Sequence, residues 1–207
     1  MIFILLIMLS LTSPSDDLIT ASIESYSHIN SYQVTLRSTD SSSPEEIKYY
    51  FKKPGYIRME FIQPYNGSVL VYDPLRKKVR VRPFGFLKFL VFTLDPESSL
   101  LKSSRGHKVS ESDIGSLLTV VEKLRSHGTS ENLDDAPVGT RQAVRISVKG
   151  NDGYAVNGIH LYHLWLDRDI LLPLRVSAYD AGSNLIEDVV MDDLEINVTF
   201  PENFFEL

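Results

Sequence analysis

Polar and hydrophobic residues alternate along most of this chain, which is the spacing of strands that bury one face. The alternation begins at residues 32–36, resumes at 47–51 and continues in short runs to residue 82, and a second set of runs fills residues 141–200. Turn residues rather than helices separate most of the runs. The pattern therefore predicts an antiparallel meander of eight or more strands. Because a twisted open sheet of this size curls toward a barrel, one face is expected to be concave and apolar.

Two segments instead have the spacing of helices. The first covers about residues 15–29, and the second covers about 112–126, where one apolar face is formed by Ile114, Leu117, Leu118, Val121 and Leu124. Ser110 or Ser112 is expected to cap the start of the second helix, and Gly128 is expected to cap its end. The polar segment "TSENLDDAPVGT" that follows is expected to be a loop.

The stretch "RPFGFLKFLVFTLDP", residues 82–96, is unusually rich in phenylalanine. Its apolar residues are Phe84, Phe86, Leu87, Phe89, Leu90, Val91, Phe92 and Leu94. As a strand this stretch is apolar on both sides, and as a helix it is apolar all round. We therefore expect it to be covered by another segment of the chain, by a ligand or by a membrane. We expect a lid over the concave face, a segment that touches a membrane, or a buried hairpin.

Composition narrows the function classes. The 207 residues are 43% hydrophobic and carry a formal net charge of −6, which is typical of one globular domain. Lysines and arginines are scattered, so no nucleic acid partner is expected. The chain has no cysteine, which excludes disulfides, thiolate metal sites and a lipid-modified N-terminal cysteine.

The first residues, "MIFILLIMLSLTSPSDD", form an apolar run that is too short to cross a bilayer unaided. Residues 1–12 are interpreted as an export signal, of an atypical kind because no lysine or arginine precedes the run. The alternative is an apolar N-terminal strand or helix of the mature fold. We expect residues 13–207 to form one exported domain.

The sequence gives little support for catalysis. His160 and His163 share a predicted strand but point to opposite faces, and no metal-ligand spacing or catalytic motif is present. His107, just before the second helix, is the candidate base of a hydrolase, which is the interpretation that ranks last. We therefore expect no enzyme activity, no metal and no cofactor.

Apolar surface is the chemistry that remains. If alternate residues face inward, the concave face is lined by Tyr49, Phe51, Ile57, Met59, Phe61 and Leu70. Methionine and aromatic side chains suit irregular apolar ligands. The same residues can equally form an ordinary filled core, and the pattern alone leaves both interpretations open.

Three stretches resemble a known family. The first stretch is "YYFKKPGYIRMEFIQPYNGSVLVYDPLRKKVRV". It contains, in order, a strand, a basic pair before proline, an aromatic strand, Gln-Pro and an aliphatic strand that ends in aspartate. This order resembles that of the LolA/LolB-like periplasmic lipoprotein carriers. The closing strands of that family resemble "LDRDILLPLRVSAYDAGSNLIEDVVMDDLEIN" and "PENFFEL". The middle segment, "RPFGFLKFLVFTLDPESSLLKSSRGHKVSESDIGSLL", is similar to a narrower branch with G-F-L, L-D-P and H-x-[IV]-[ST]-E-x-x-I-G signatures. The resemblance covers roughly residues 32–207.

The resemblance implies a mainly β fold with α, an unclosed antiparallel half-barrel with two or three helices covering its concave face. It also implies a non-catalytic periplasmic protein that shelters lipids or lipoprotein acyl chains and meets membrane-associated transport proteins, and we expect a monomer. In the carriers an arginine before the strand-starting proline ties the lid helices shut. Here Lys53 precedes Pro54 and cannot form the same forked hydrogen bonds. The alternative function is an envelope interaction or sensor module with a filled barrel and an apolar docking patch.

The expected site combines the concave face with the phenylalanine-rich stretch. The residues expected to line or cover it are Tyr49, Phe51, Ile57, Met59, Phe61, Leu70, Phe84, Phe86, Leu87, Phe89, Leu90 and Phe92. Lys53 and Arg58 are the candidates for contact with a polar headgroup.

Overall fold

The computed structural model describes residues 14–38, 44–86, 89–98, 101 and 108–207. In this part of the chain two α-helices, α1 (Pro14–Ser27) and α2 (Ile114–Arg125), lie close to their predicted bounds. The strands are β1 (Ser31–Ser38), β2 (Glu45–Lys52), β3 (Tyr56–Gln63), β4 (Val69–Asp73), β5 (Lys78–Arg82), β6 (Phe92–Leu94), β7 (Gly128–Leu133), β8 (Ala143–Gly150), β9 (Leu161–Asp167), β10 (Pro173–Tyr179) and β11 (Leu185–Ile196). The predicted export signal lies outside the described residues.

The strands form one open antiparallel sheet. Within the described residues it has eleven strands in the order β6-β5-β4-β3-β2-β1-β11-β10-β9-β8-β7. The chain therefore makes two meanders, β1 to β6 and β7 to β11, which are joined where β1 pairs with β11. The two strands at the edges, β6 and β7, do not pair with each other. The predicted unclosed half-barrel with helices is confirmed.

Both helices pack together over one half of the sheet, against β7 and β8. The buried residues of α2 are Ile114, Leu118, Val121 and Leu124, whose spacing confirms the predicted helical face. Ile19 of α1 packs together with Val121 and Leu124 on strand residues such as Ile146 and Leu164. Each of these fully buried aliphatic side chains contributes about 1.5–3 kcal/mol, which holds the helices on the sheet. Neither described helix is long and apolar enough to span a membrane.

The cap of α2 differs from the prediction. Asp113, rather than Ser110 or Ser112, accepts hydrogen bonds from the backbone N–H groups of Gly115 (2.8 Å) and Ser116 (3.2 Å). The Ser112 hydroxyl instead donates to a backbone carbonyl in the short turn before the helix, at 2.8 Å. The prediction began the helix too early because several residues in a row are suitable caps.

The segment predicted as a loop contains the edge strand β7, which pairs along its length with β8. Its side chains are mostly short and polar, so β7 lacks the apolar alternation that marks the other strands. Gly128 begins β7 and does not cap α2. A Cβ atom at Gly128 would collide with the carbonyl oxygen of Lys149, so the close approach of β8 requires glycine there.

The C-terminal segment, residues 197–207, packs on the outer face of β2 and β3. An aromatic cluster, with neighbouring ring centroids between 4.8 and 6.0 Å apart, is formed by Tyr50, Tyr56, Phe200, Phe204 and Phe205. Arg58 on β3 donates to the carbonyl oxygen of Phe204 at 2.9 Å. The outer face of this half of the sheet is therefore covered by the tail.

Candidate functional site

A continuous row of apolar side chains crosses the concave face from β2 to β6. The strand register places opposite one another Tyr49, Met59, Leu70, Val81 and Phe92, which we call the concave row. Beside it runs a second row formed by Phe51, Ile57, Tyr72, Val79 and Leu94. Directly opposed residues share one face of a sheet. Six residues predicted to face inward occur on β2, β3 and β4, and the structure brings them onto this face.

The inner end of the concave row is packed by the protein itself. Tyr49 is 1% exposed, and its neighbours Phe51 and Ile57 are also buried. They belong to one cluster with Tyr32 and with residues of α2. The rings of Tyr32 and Phe51 stack with centroids 5.1 Å apart, and the Tyr32 hydroxyl accepts a hydrogen bond from the N–H of Ile114 at 3.1 Å. Among these residues the barrel interior is filled.

The outer end of the concave row is open. Leu70 is 7% exposed and Phe92, at the sheet edge, is 48% exposed. Met59, Phe61 and Val81 are half-buried and pack on the rim of the core. An apolar surface therefore continues from the filled interior to solvent at β6, and this is where an apolar ligand could enter.

Beyond the concave row lies a second group of exposed rings, Tyr65, Phe84, Phe86 and Phe89, which we call the edge patch. Phe86 is 81% exposed and Phe89 is 85% exposed. The stretch was expected to be covered, but these two rings lie in the connection from β5 to β6, at the edge of the sheet, and face solvent. They do not form a buried hairpin. Leu90 is half-buried, and Leu87 lies outside the described residues.

The two candidate headgroup residues lie away from the concave row. The Lys53 Nζ atom donates to the carbonyl oxygen of Ser27 at the end of α1, at 2.7 Å, and lies 5.6 Å from the centroid of the Tyr26 ring. It therefore ties α1 to the sheet with a single hydrogen bond. Arg58 lies on the outer face of β3, where it pairs with Glu60 at 2.7 Å and contacts the C-terminal tail.

A polar anchor at the start of α2 was missed from the sequence. The hydroxyl of Tyr26 donates to Asp113 at 2.8 Å, and the hydroxyl of Tyr49 lies 3.2 Å from that of Ser112. Burial, followed by the charge of Asp113, raises the pKa of Tyr26, and burial raises the pKa of Tyr49. Both phenols therefore stay neutral. The tyrosines looked simply apolar, because their partner lies far along the chain.

Little in the described residues favours a reaction. A polar hollow of about 330 Å³ is lined by Thr140, Arg141, Gln142, Asp167, Arg168 and Asp169. Its arginines are paired, Arg141 with Asp167 at 2.7 Å and Arg168 with Asp135. In the part of the chain that the structure describes, no three histidine or acidic residues are grouped so that they could hold a metal. His107 lies outside that part.

Solved structures share this fold. A chain of the Pseudomonas aeruginosa MucA/MucB complex is similar with a TM-score of 0.52 and 20% identity, over 94% of this chain and 61% of that one. LprF from Mycobacterium bovis is similar with a TM-score of 0.55 and 11% identity, over 92% of this chain and 97% of that one. A LolA superfamily protein from Nitrosomonas europaea matches 93% of this chain and 98% of its own, at 10% identity and a TM-score of 0.37, too distant to argue from. The likenesses to the MucA/MucB complex chain and to LprF support the fold alone.

Sequence comparison adds the family. A comparison with curated proteins gives no match. The family described as "Protein of unknown function (DUF1571)" matches residues 28–207. The match runs from just before β1 to the last residue of the aromatic tail and so includes every strand of the sheet. The chain therefore belongs to the DUF1571 family.

Proposed function

We propose that this protein is a non-catalytic binder or carrier of lipids, or of the acyl chains of lipoproteins, in the periplasm. The observation that carries the proposal is the concave row, which is apolar along its whole length, buried at Tyr49 and most exposed at Phe92, its outer end. An acyl chain lying along Met59, Phe61 and Phe92 would extend the core, because its methylenes would contact apolar side chains. Residues farther in, such as Tyr49 and Phe51, form the floor of that site.

Burial of an acyl chain supplies enough free energy for useful binding. Each methylene removed from water contributes about 0.8 kcal/mol, so ten methylenes would contribute roughly 8 kcal/mol before ordering costs. A net value of about that size corresponds to micromolar affinity. The resemblance of the sequence to the LolA/LolB-like carriers supports the same ligand class, the periplasmic location and encounters with membrane-associated transport proteins.

A second candidate function is an envelope interaction or sensor module. The filled inner end of the concave row favours it, because Tyr49, Phe51 and Ile57 already pack against Tyr32 and α2. In this alternative the open outer end is a docking patch for a protein and no ligand enters the barrel. MucB was solved in complex with MucA, which is a property of that protein.

Replacement of Phe92 by aspartate tests the carrier proposal. A carboxylate at the outer end of the concave row would face the acyl chain without a partner, so binding of a dansyl-labelled fatty acid should weaken by about tenfold or more. Thr93→Asp is the matched control, because Thr93 neighbours Phe92 on the same edge strand, is also exposed, and points to the opposite face. Fluorescence titration in solution measures both variants.

Two results would overturn the proposal: absence of fatty-acid binding by the unmodified protein, or equal weakening by the two variants. Native mass spectrometry after mild extraction from the cell envelope provides an independent measurement. A carrier is expected to retain lipid mass, whereas a filled interaction module is expected to carry none.

A further inference from the structure

The edge patch lies where two turns of the chain contact each other. Tyr65 lies on the turn between β3 and β4, and Phe84 and Phe86 lie directly after β5. The turns meet at Gly67 and Gly85, where a Cβ atom on Gly67 would lie 3.0 Å from the Cα atom of Gly85. The rings of Phe84 and Phe86 have centroids 5.6 Å apart. Phe89 follows Phe86 by three residues in the connection to β6 and is also exposed. Exposed aromatic rings in this number are typical of an interaction surface.

Acidic residues are missing from the two segments that form the edge patch, with Glu60 and Asp95 at their borders. The sequence from 61 to 68 and from 81 to 94, which contains the patch and its flanks, has no aspartate or glutamate. Its charged residues are Arg82 and Lys88, of which Lys88 lies outside the described residues. The whole chain carries a net charge of −6. The acidic residues that would repel an anionic surface are therefore absent from these segments.

We propose that the edge patch docks the protein onto an anionic phospholipid bilayer, with Phe86 and Phe89 inserted at the boundary between headgroups and acyl chains. Aromatic side chains favour this boundary, and basic residues near them in the sequence, here Arg82 and Lys88, are attracted to anionic headgroups. Rings at the tips of turns can enter a lipid surface without a shaped partner. A protein partner would need a groove that matches rings spread over two turns.

The position of the patch explains how docking would serve a carrier. Phe89 is followed three residues later by Phe92, which begins β6 and forms the open end of the concave row. A protein docked by the patch would therefore hold that open end at the bilayer, so an acyl chain could pass between the two without crossing water. This purpose rests on the proposed carrier function, whereas the exposure and charge of the patch do not.

Vesicle flotation tests the proposal with a double variant, Phe86→Ser with Phe89→Ser. The probe is vesicles made of equal parts phosphatidylcholine and phosphatidylglycerol, with pure phosphatidylcholine as the uncharged comparison. We expect the double variant to lose about tenfold in vesicle partitioning, since interfacial binding scales with buried apolar area, and the unmodified protein to prefer the anionic vesicles. Both rings are largely exposed, so the thermal unfolding midpoint should not change.

Leu185→Ser is the matched control. Leu185 is 51% exposed at the start of β11, which lies far from β6 in the sheet and continues with Glu187 and Asp188, so the change removes an exposed apolar side chain outside the patch. We expect this variant to bind vesicles normally. Equal losses for Leu185→Ser and the double variant, or normal binding by the double variant, would overturn the proposal. If the unmodified protein binds the fatty acid but no vesicles, docking fails while the carrier function stands, and the reverse result rejects only the carrier function.

Discussion

Single residues show how the same apolar pattern acquires two different roles. Tyr49 and Phe92 stand in one cross-strand row, yet the first is buried under α2 and the second is half exposed at the sheet edge. Their side chains are chemically similar. The difference arises because β2 lies near the middle of the sheet and β6 at its edge. The role of an apolar residue here thus follows from the place of its strand.

We expect His163 to make the folding stability depend on pH. Its ring contacts Trp165 and Tyr179 on β9 and β10, and burial, followed by the charge of Arg145, lowers its pKa. The unfolded chain has the ordinary pKa near 6.5, so on acidification it takes up the proton before the folded protein does. Folding stability should therefore fall as the pH drops through that value and level off below the folded pKa.

Urea unfolding measured between about pH 7.5 and about pH 5 tests this dependence. We expect His163→Gln to reduce the loss of stability over that range. His28→Gln is the control, since His28 is an exposed residue just after the end of α1. A pH profile that is unchanged in His163→Gln would contradict the assignment.

At the scale of elements, α2 is the part whose position decides whether the inner barrel is filled. Its start is held by Asp113, which caps the helix and accepts a hydrogen bond from the hydroxyl of Tyr26 on α1. Its buried face then covers Tyr32 and Tyr49. One carboxylate therefore joins two helices at the place where both meet the sheet.

Asp113→Ala should lower the free energy of unfolding by about 1–2 kcal/mol, because the first backbone N–H groups of α2 lose their acceptor. Asp113→Asn keeps a side-chain oxygen at the cap and should cost much less. Chemical denaturation of the two variants measures the difference. Equal destabilisation by alanine and asparagine would show that the charge facing Tyr26 matters more than the cap.

At the scale of the whole molecule, the tail covers the outer face of the same strands whose inner face carries the concave row. Phe204 lies between Tyr50 and Phe200, with centroid distances of 4.9 and 4.8 Å, and under the guanidinium of Arg58 at 4.9 Å. Because of these contacts, β2 and β3 have packed side chains on both faces of the sheet. The strands that form the floor of the proposed site are thereby held in place from behind.

Phe204→Ala should destabilise the protein by about 2 kcal/mol, less than a fully buried phenylalanine because its ring is half-buried. Phe86→Ala serves as the control, since it truncates the same side chain at a largely exposed position and should leave the unfolding midpoint unchanged. Thermal unfolding of both variants provides the comparison. A Phe204→Ala variant as stable as Phe86→Ala would mean that the tail is not part of the folded core.

The local pattern of apolar and polar residues was enough to predict the positions of some residues of the candidate site, but not of the others. Met59 and Leu70 could be assigned to one face because successive side chains of a strand point to opposite sides. The exposure of Phe86 could not be predicted, because the stretch around it is apolar on every side. A local pattern of this kind does not indicate which face another part of the protein covers. Arg58 was expected near a headgroup, but its partner is the tail far along the chain.

Periodicity is a property of neighbouring residues, and it was sufficient to predict an antiparallel sheet, two helices and the inward face of β2 to β4. The fold was needed to see that β6 and β7 are the edges, that α2 fills the inner barrel, and that the phenylalanines of the edge patch face solvent. Those outcomes depend on which distant segments meet. Contacts of that kind follow from topology and packing, to which no short stretch of sequence refers.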